Sequence, residues 1–137
     1  MIRILLAAAL LQHAHGAGHA DSREASAPSH PEGARHNFQP LPDGGLLEVV
    51  SGERDSAQVG RVRDHLRAEA AEYARGDFRG EAAGAPGLAE LAAGAKRIEI
   101  AYADTDGGGR IRFITSDPAL VRALHAWLSA HVRGHQS

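Results

Sequence analysis

Histidine is the side chain in this sequence best equipped for chemistry. Six of the nine histidines, His30, His36, His65, His125, His131 and His135, follow residue 20, where the other candidate donors are carboxylates. There is no cysteine, which removes disulfides, thiolate nucleophiles and zinc-finger chemistry together. Met1 is the one methionine, so no thioether is left to hold Cu(I) once the N-terminus is processed. Imidazole nitrogen with carboxylate oxygen suits Zn²⁺, Cu²⁺ or Ni²⁺. His65, His125 and His135 form the candidate metal set, with Asp77 or His36 as further donors. An axial haem ligand is open to the same residues, although no Cys-x-x-Cys-His attachment motif exists. His131 and His135 are four apart and share a face only if the last helix runs past Gly134, where a glycine favours fraying. A second reading stands beside the metal one: each imidazole hydrogen-bonds a carbonyl or a carboxylate between packed elements and does nothing else.

These residues must be positioned by hairpins and helices. Asn37–Leu41 and Leu46–Ser51 flank Pro42-Asp43-Gly44-Gly45, which predicts a β-hairpin, and Pro40 restricts its first strand to a sheet edge. Val59, Val62, Leu66, Ala70 and Tyr73 recur at spacings of three and four, predicting an amphipathic helix over Ser56–Arg75 with Gly76 as its stop. Gly76-Asp77-Phe78 then reads as a helix stop and a core anchor. Glu81–Lys96 is dominated by Ala and Gly and reads mostly as loop, with Leu88 and Leu91 anchoring one helical turn. Ile98, Ile100 and Tyr102 alternate before Asp106-Gly107-Gly108-Gly109, and Ile111, Phe113 and Thr115 alternate after it, predicting a second hairpin. Asp117 and Pro118 suit the N-cap and N1 of a final helix, Ala119 to about Val132, with the stripe Leu120, Val121, Leu124, Trp127 and Leu128.

The two halves follow one plan of strand, Asp-Gly turn, strand, helix. His65 and His125 come 22 and 19 residues after the turn aspartates Asp43 and Asp106 and so sit at matched depths, each at the edge of its helix's apolar stripe. The expected fold is α+β: two ββα half-repeats forming a four-stranded antiparallel sheet with two helices on one face. The other face is left for solvent or for a second copy of the chain.

Arg3 followed by the apolar run Ile4–Leu11 and Gly18-His19-Ala20 reads as a signal peptide over residues 1–20, with cleavage before Asp21; the tripeptides ending at Gly16 and Gly18 fit the same rule. The run is too short to span a bilayer, and no other apolar stretch follows, so a periplasmic or secreted product without an integral membrane segment is expected. Residues 21–35 read as a flexible leader and 36–137 as a single domain. A net charge of −2 with interspersed signs gives no field for nucleic acid.

Arg35-His36-Asn37-Phe38, Asp43-Gly44-Gly45, Val62-Arg63-Asp64-His65-Leu66, Gly76-Asp77-Phe78, Pro86-Gly87 and Ala123-Leu124-His125-Ala126-Trp127-Leu128 with His135 resemble a family of small, uncharacterised exported bacterial proteins. The likeness spans nearly all of the chain after residue 20. It implies export and a shared histidine pattern and lends no activity; members carry His-His-Phe where this chain has His36-Asn37-Phe38. HExxH, EF-hand and GxxxxGK[ST] patterns are absent, and Gly107-Gly108-Gly109 lacks the Lys-Ser/Thr of a phosphate cradle. Ser51 or Ser116 paired with His65 or His125 would make a hydrolase, but there is no Gly-x-Ser-x-Gly elbow and no evident orienting carboxylate. The reading that ranks first is a non-enzymatic binding module, metal-dependent if the histidines converge. The alternative is a structural or partner-regulating domain whose histidines pack or sense pH.

Overall fold

The computed structural model describes residues 31, 33–78 and 84–135. The signal peptide, most of the leader and His30 lie outside them. Four strands, β1 (Arg35–Leu41), β2 (Gly44–Val50), β3 (Glu99–Thr105) and β4 (Gly108–Ile114), form one antiparallel sheet in the order β1-β2-β4-β3. Helix α1 (Ser56–Ala74) packs on β3 and β4, and α3 (Pro118–Gly134) on β1 and β2. Leu47, Val49, Ile111 and Phe113, alternating along the central strands, share one core with Val62, Leu66, Leu124, Trp127 and Leu128, so both helices cover the same face. The fold is therefore α+β, as the alternation of the strands and the period of the helices require. Among the described residues no helix is long and apolar enough to cross a membrane.

The expected loop before β3 contains more structure than one turn. Leu88–Gly94 forms a short helix, α2, and Ala95–Arg97 a 3₁₀ turn. Leu91 is fully buried, and Gly94 lies so close to Leu120 that a Cβ would collide with it; Leu, Ala and Glu are strong helix formers, so only Gly94 carries a propensity cost, and its packing against Leu120 requires the missing side chain.

The halves repeat one another in backbone register and in their turn contacts. The β2–β4 register is symmetric about the Leu47–Ile111 pair, with Gly44 opposite Ile114 and Gly108 opposite Val50. Shifting a strand residue by 64 positions reproduces its partners. Ser51 N–H donates to Gly107 C=O and Thr115 N–H to Asp43 C=O, both at 2.9 Å. A side chain at Gly44 would strike the Phe113 carbonyl, and one at Gly108 the Val49 carbonyl. In the helices the shift is 62: Asp55 caps α1 through Gln58 N–H and Asp117 caps α3 through Ala119 N–H, both at 2.9 Å. Gly45 lies beneath Phe38 and Leu128, and Gly109 beneath Tyr102 and Leu66. The difference of two residues is absorbed between sheet and helix, where Ser51–Asp55 is two residues longer than Thr115–Asp117.

Candidate functional site

His125 was expected to mirror His65 and does not. With the helix shift of 62, its counterpart is Arg63. The Arg63 guanidinium donates to the carbonyls of Gly108 (3.0 Å) and Thr105 (2.9 Å), where β3 turns into β4. The Nε2–H of His125 is shared between the carbonyls of Gly44 (2.7 Å) and Leu41 (3.0 Å), the corresponding atoms of the other hairpin. Since a carbonyl only accepts, Nε2 must carry the proton, and that nitrogen is committed to the turn. His36, five residues from Leu41 along β1, lies about 16 Å from that end of the strand. His125 is therefore a hairpin clamp, separate from the other sequence-predicted donors.

Asp77 is also removed from the set. It follows the positive-φ Gly76 that ends α1, and its N–H donates to Glu72 C=O (3.0 Å). His65 is ten residues before the Arg75 C-cap, about 15 Å along the helix, while Tyr73 and Phe78 on either side of Asp77 stack at 5.5 Å in the aromatic core.

The other histidines do come together. His36 stacks on His135 with ring centroids 4.4 Å apart and planes 12° apart, and His131 meets His135 edge-on at 4.6 Å and His36 at 6.3 Å. From α1, His65 Nε2 lies 3.4 Å from Glu69 Oε1, and both side chains are largely buried. Electrostatic coupling ties the helices: Glu69, His135, His36 and His65 all act on His131. The cluster is thus His36 on β1, His65 and Glu69 on α1, and His131 and His135 at the end of α3. His65, His135 and His36 were named from the sequence. His131 was weighed only as the partner of His135 on a fraying helix end, outside the candidate set, and Glu69 was not named.

The expected fraying at Gly134 explains the missed histidine. Helix α3 runs through Gly134 with His135 as its C-cap, because Trp127, Leu128 and His131 are all buried beneath it. The stripe Leu124, Trp127, Leu128, His131 and His135 continues the same spacing of three and four, and that continuation was the available signal. Glu69 is one turn after His65, the standard i,i+4 relation.

Burial, the largest cause, lowers the His131 pKa from 6.5 to about 4; Glu69 opposes the shift, and the other three imidazoles of the cluster reinforce it. His36 is also lowered, first by burial and then by His135. Both rings are held neutral near pH 7, the form in which imidazole offers a lone pair. With the side chains in these rotamers, no group of three or more His, Asp or Glu among the described residues is arranged to hold a metal ion. The near-parallel His36 and His135 rings present faces rather than converging nitrogens. Both rings line a surface pocket of about 560 Å³ together with Ala34, Arg35, Asn37 and Glu48.

No protein-family model, curated protein or solved structure matches the chain.

Proposed function

We propose that the protein is an exported, non-enzymatic binding module whose ligand centre is the imidazole–carboxylate cluster. One observation carries the reading. The positions that hold imidazoles at this end of the molecule hold core side chains at the other: shifted by their repeat intervals, His36, His65 and His135 correspond to Ile100, Trp127 and Tyr73. The fold is able to fill these places with apolar groups, so four imidazoles around one carboxylate reflect something other than packing. The adjoining pocket supplies access from solvent.

An enzyme reading finds no support in the serines. Ser51 Oγ accepts from Glu53 N–H (3.3 Å), just as its counterpart Thr115 does from Asp117 N–H (3.2 Å), a local turn bond present in both halves. Export rests on the charged start, short apolar run and Gly18-His19-Ala20 of the N-terminus. A second reading, a structural or partner-regulating domain, is favoured by the stacking of His36 on His135, which is also how imidazoles pack when they bind nothing.

Native mass spectrometry of the chain purified from periplasm tests the proposal. A mature mass beginning near Asp21 with a stoichiometric adduct supports it. Retained Met1 or purely cytosolic protein refutes export, and an adduct-free mass in every preparation favours the structural alternative.

A further inference from the structure

The geometry points to the ion class: we propose that His36, His65, Glu69 and His131, with His135 as the donor nearest to solvent, form a divalent transition-metal site. This rests on the reading that the cluster is the binding centre, and it replaces His125 and Asp77 with His131 and Glu69. The donors come from three elements, so an ion would join β1, α1 and α3 at this end of the molecule. An imidazole nitrogen sits about 2.0–2.1 Å from Zn²⁺, which places neighbouring donors roughly 3–4 Å apart. The 3.4 Å approach of His65 to Glu69 is a donor–donor distance of that size, while the His36, His131 and His135 rings, at centroid separations of 4.4 and 4.6 Å about His135, are neighbours whose nitrogens do not yet converge. What binding requires is rotation of the stacked His36 and His135 rings about their side-chain torsions. The pocket they line gives room for that movement and a path for the ion.

Chemistry narrows the ion. Four imidazoles and one carboxylate are borderline donors that favour Zn²⁺, Ni²⁺ or Cu²⁺ over Mg²⁺ or Ca²⁺, which take oxygen ligands. The carboxylate of Glu69 leaves a bound divalent ion with a net charge of +1, which lessens the penalty of burying it.

The full chain, stripped with a chelator, is titrated with Cu²⁺ and with Zn²⁺ by calorimetry, and the Cu²⁺ form is read by electron paramagnetic resonance. One tightly bound ion per chain is expected, with nitrogen hyperfine structure. His65→Ala and Glu69→Gln should each weaken it by at least about tenfold, and His125→Gln should leave it unchanged. Glu69→Gln preserves side-chain shape and keeps the test decisive should His65→Ala unfold the domain; circular dichroism checks each variant. Binding that survives both substitutions would lie outside this set of donors, at a residue such as His30, and would overturn the site. Absence of stoichiometric metal overturns it as well. If native mass spectrometry then still finds another adduct, the binding module stands without the metal; if it finds none, both fall.

Discussion

The valley between α1 and α3 is built twice and filled differently at its two ends. At one end Tyr73, Phe78, Phe113 and Trp127 pack with ring centroids 5.2–6.3 Å apart, Trp127 edge-on to both Tyr73 and Phe78. At the other, the corresponding helix positions carry His65 and His135, and the strand position matching Phe113 is Val49. Between them Glu69 and His131 are each other's counterparts. The same backbone thus supports an aromatic core at one end and an ionisable cluster at the other. The aromatic end supplies the larger apolar area and the interlocking ring geometry, so it should dominate stability. The imidazole end buries groups that water would solvate better, and its contribution should depend on pH and on ligand.

The largest effect is expected at the aromatic end. Trp127→Ala removes a fully buried ring in contact with Tyr73, Phe78, Phe113 and His131 and should destabilise the domain by about 3–5 kcal/mol, measured by urea unfolding at pH 8. A loss below about 1 kcal/mol would show that this end is not the anchor.

Acid should act on the other end. The folded state holds His131 at about 4 and lowers His36, whereas an unfolded histidine titrates near 6.5, so between those values the unfolded chain binds more protons. Stability from this source is complete above about pH 6.5 and is lost as the pH falls toward 4. For His131 alone the loss is about 2–3 kcal/mol. Urea midpoints at pH 8, 6, 5 and 4 on metal-free protein check it; a flat profile from 8 to 5 would mean that the cluster accommodates protons without strain.

Both hairpins and both long helices were legible because their periods are unbroken and their ends carry Asp, Pro and Gly signals. What misled was the frame of the repeat. Counting from the turn aspartates set Asp43 against Asp106, an interval of 63, whereas Gly44 answers to Gly108 and Asp55 to Asp117. Two extra residues before α1 lie in a connection whose length no periodicity reports. Counted from the helix caps, His65 lies ten residues after Asp55 and His125 only eight after Asp117, so His125 falls on the place of Arg63. His131 was left out of the candidate set for a different reason: local propensity at Gly134 argued for an open end, while burial of the residues before it decided the outcome.

The hairpin clamps give a smaller test of the same symmetry. His125→Ala leaves the carbonyls of Leu41 and Gly44 without their shared donor and should cost about 1–2 kcal/mol. Arg63→Ala should cost a comparable amount at the opposite hairpin. Hydrogen exchange at the two turns locates each effect. If His125→Ala instead disturbed the amides around His36, His125 would belong to the cluster after all.

The smallest expected change comes from the residue most deeply placed in that cluster. His131 is 1 % exposed and touches Trp127 at 5.6 Å as well as His36 and His135. Leucine has nearly the same bulk, keeps the contact with Trp127 and carries no charge to desolvate. Exchanging a buried polar group for an apolar one of like shape is often close to neutral. His131→Leu should therefore shift stability by no more than about 1 kcal/mol at pH 8. At pH 5 it should make the domain more stable than the parent, because the protonation that penalises the folded parent no longer applies. Parallel urea curves at the two pH values decide this. A loss above about 2 kcal/mol at pH 8 would put His131 on the footing of a packing residue such as Trp127, and the contrast between the two ends would disappear.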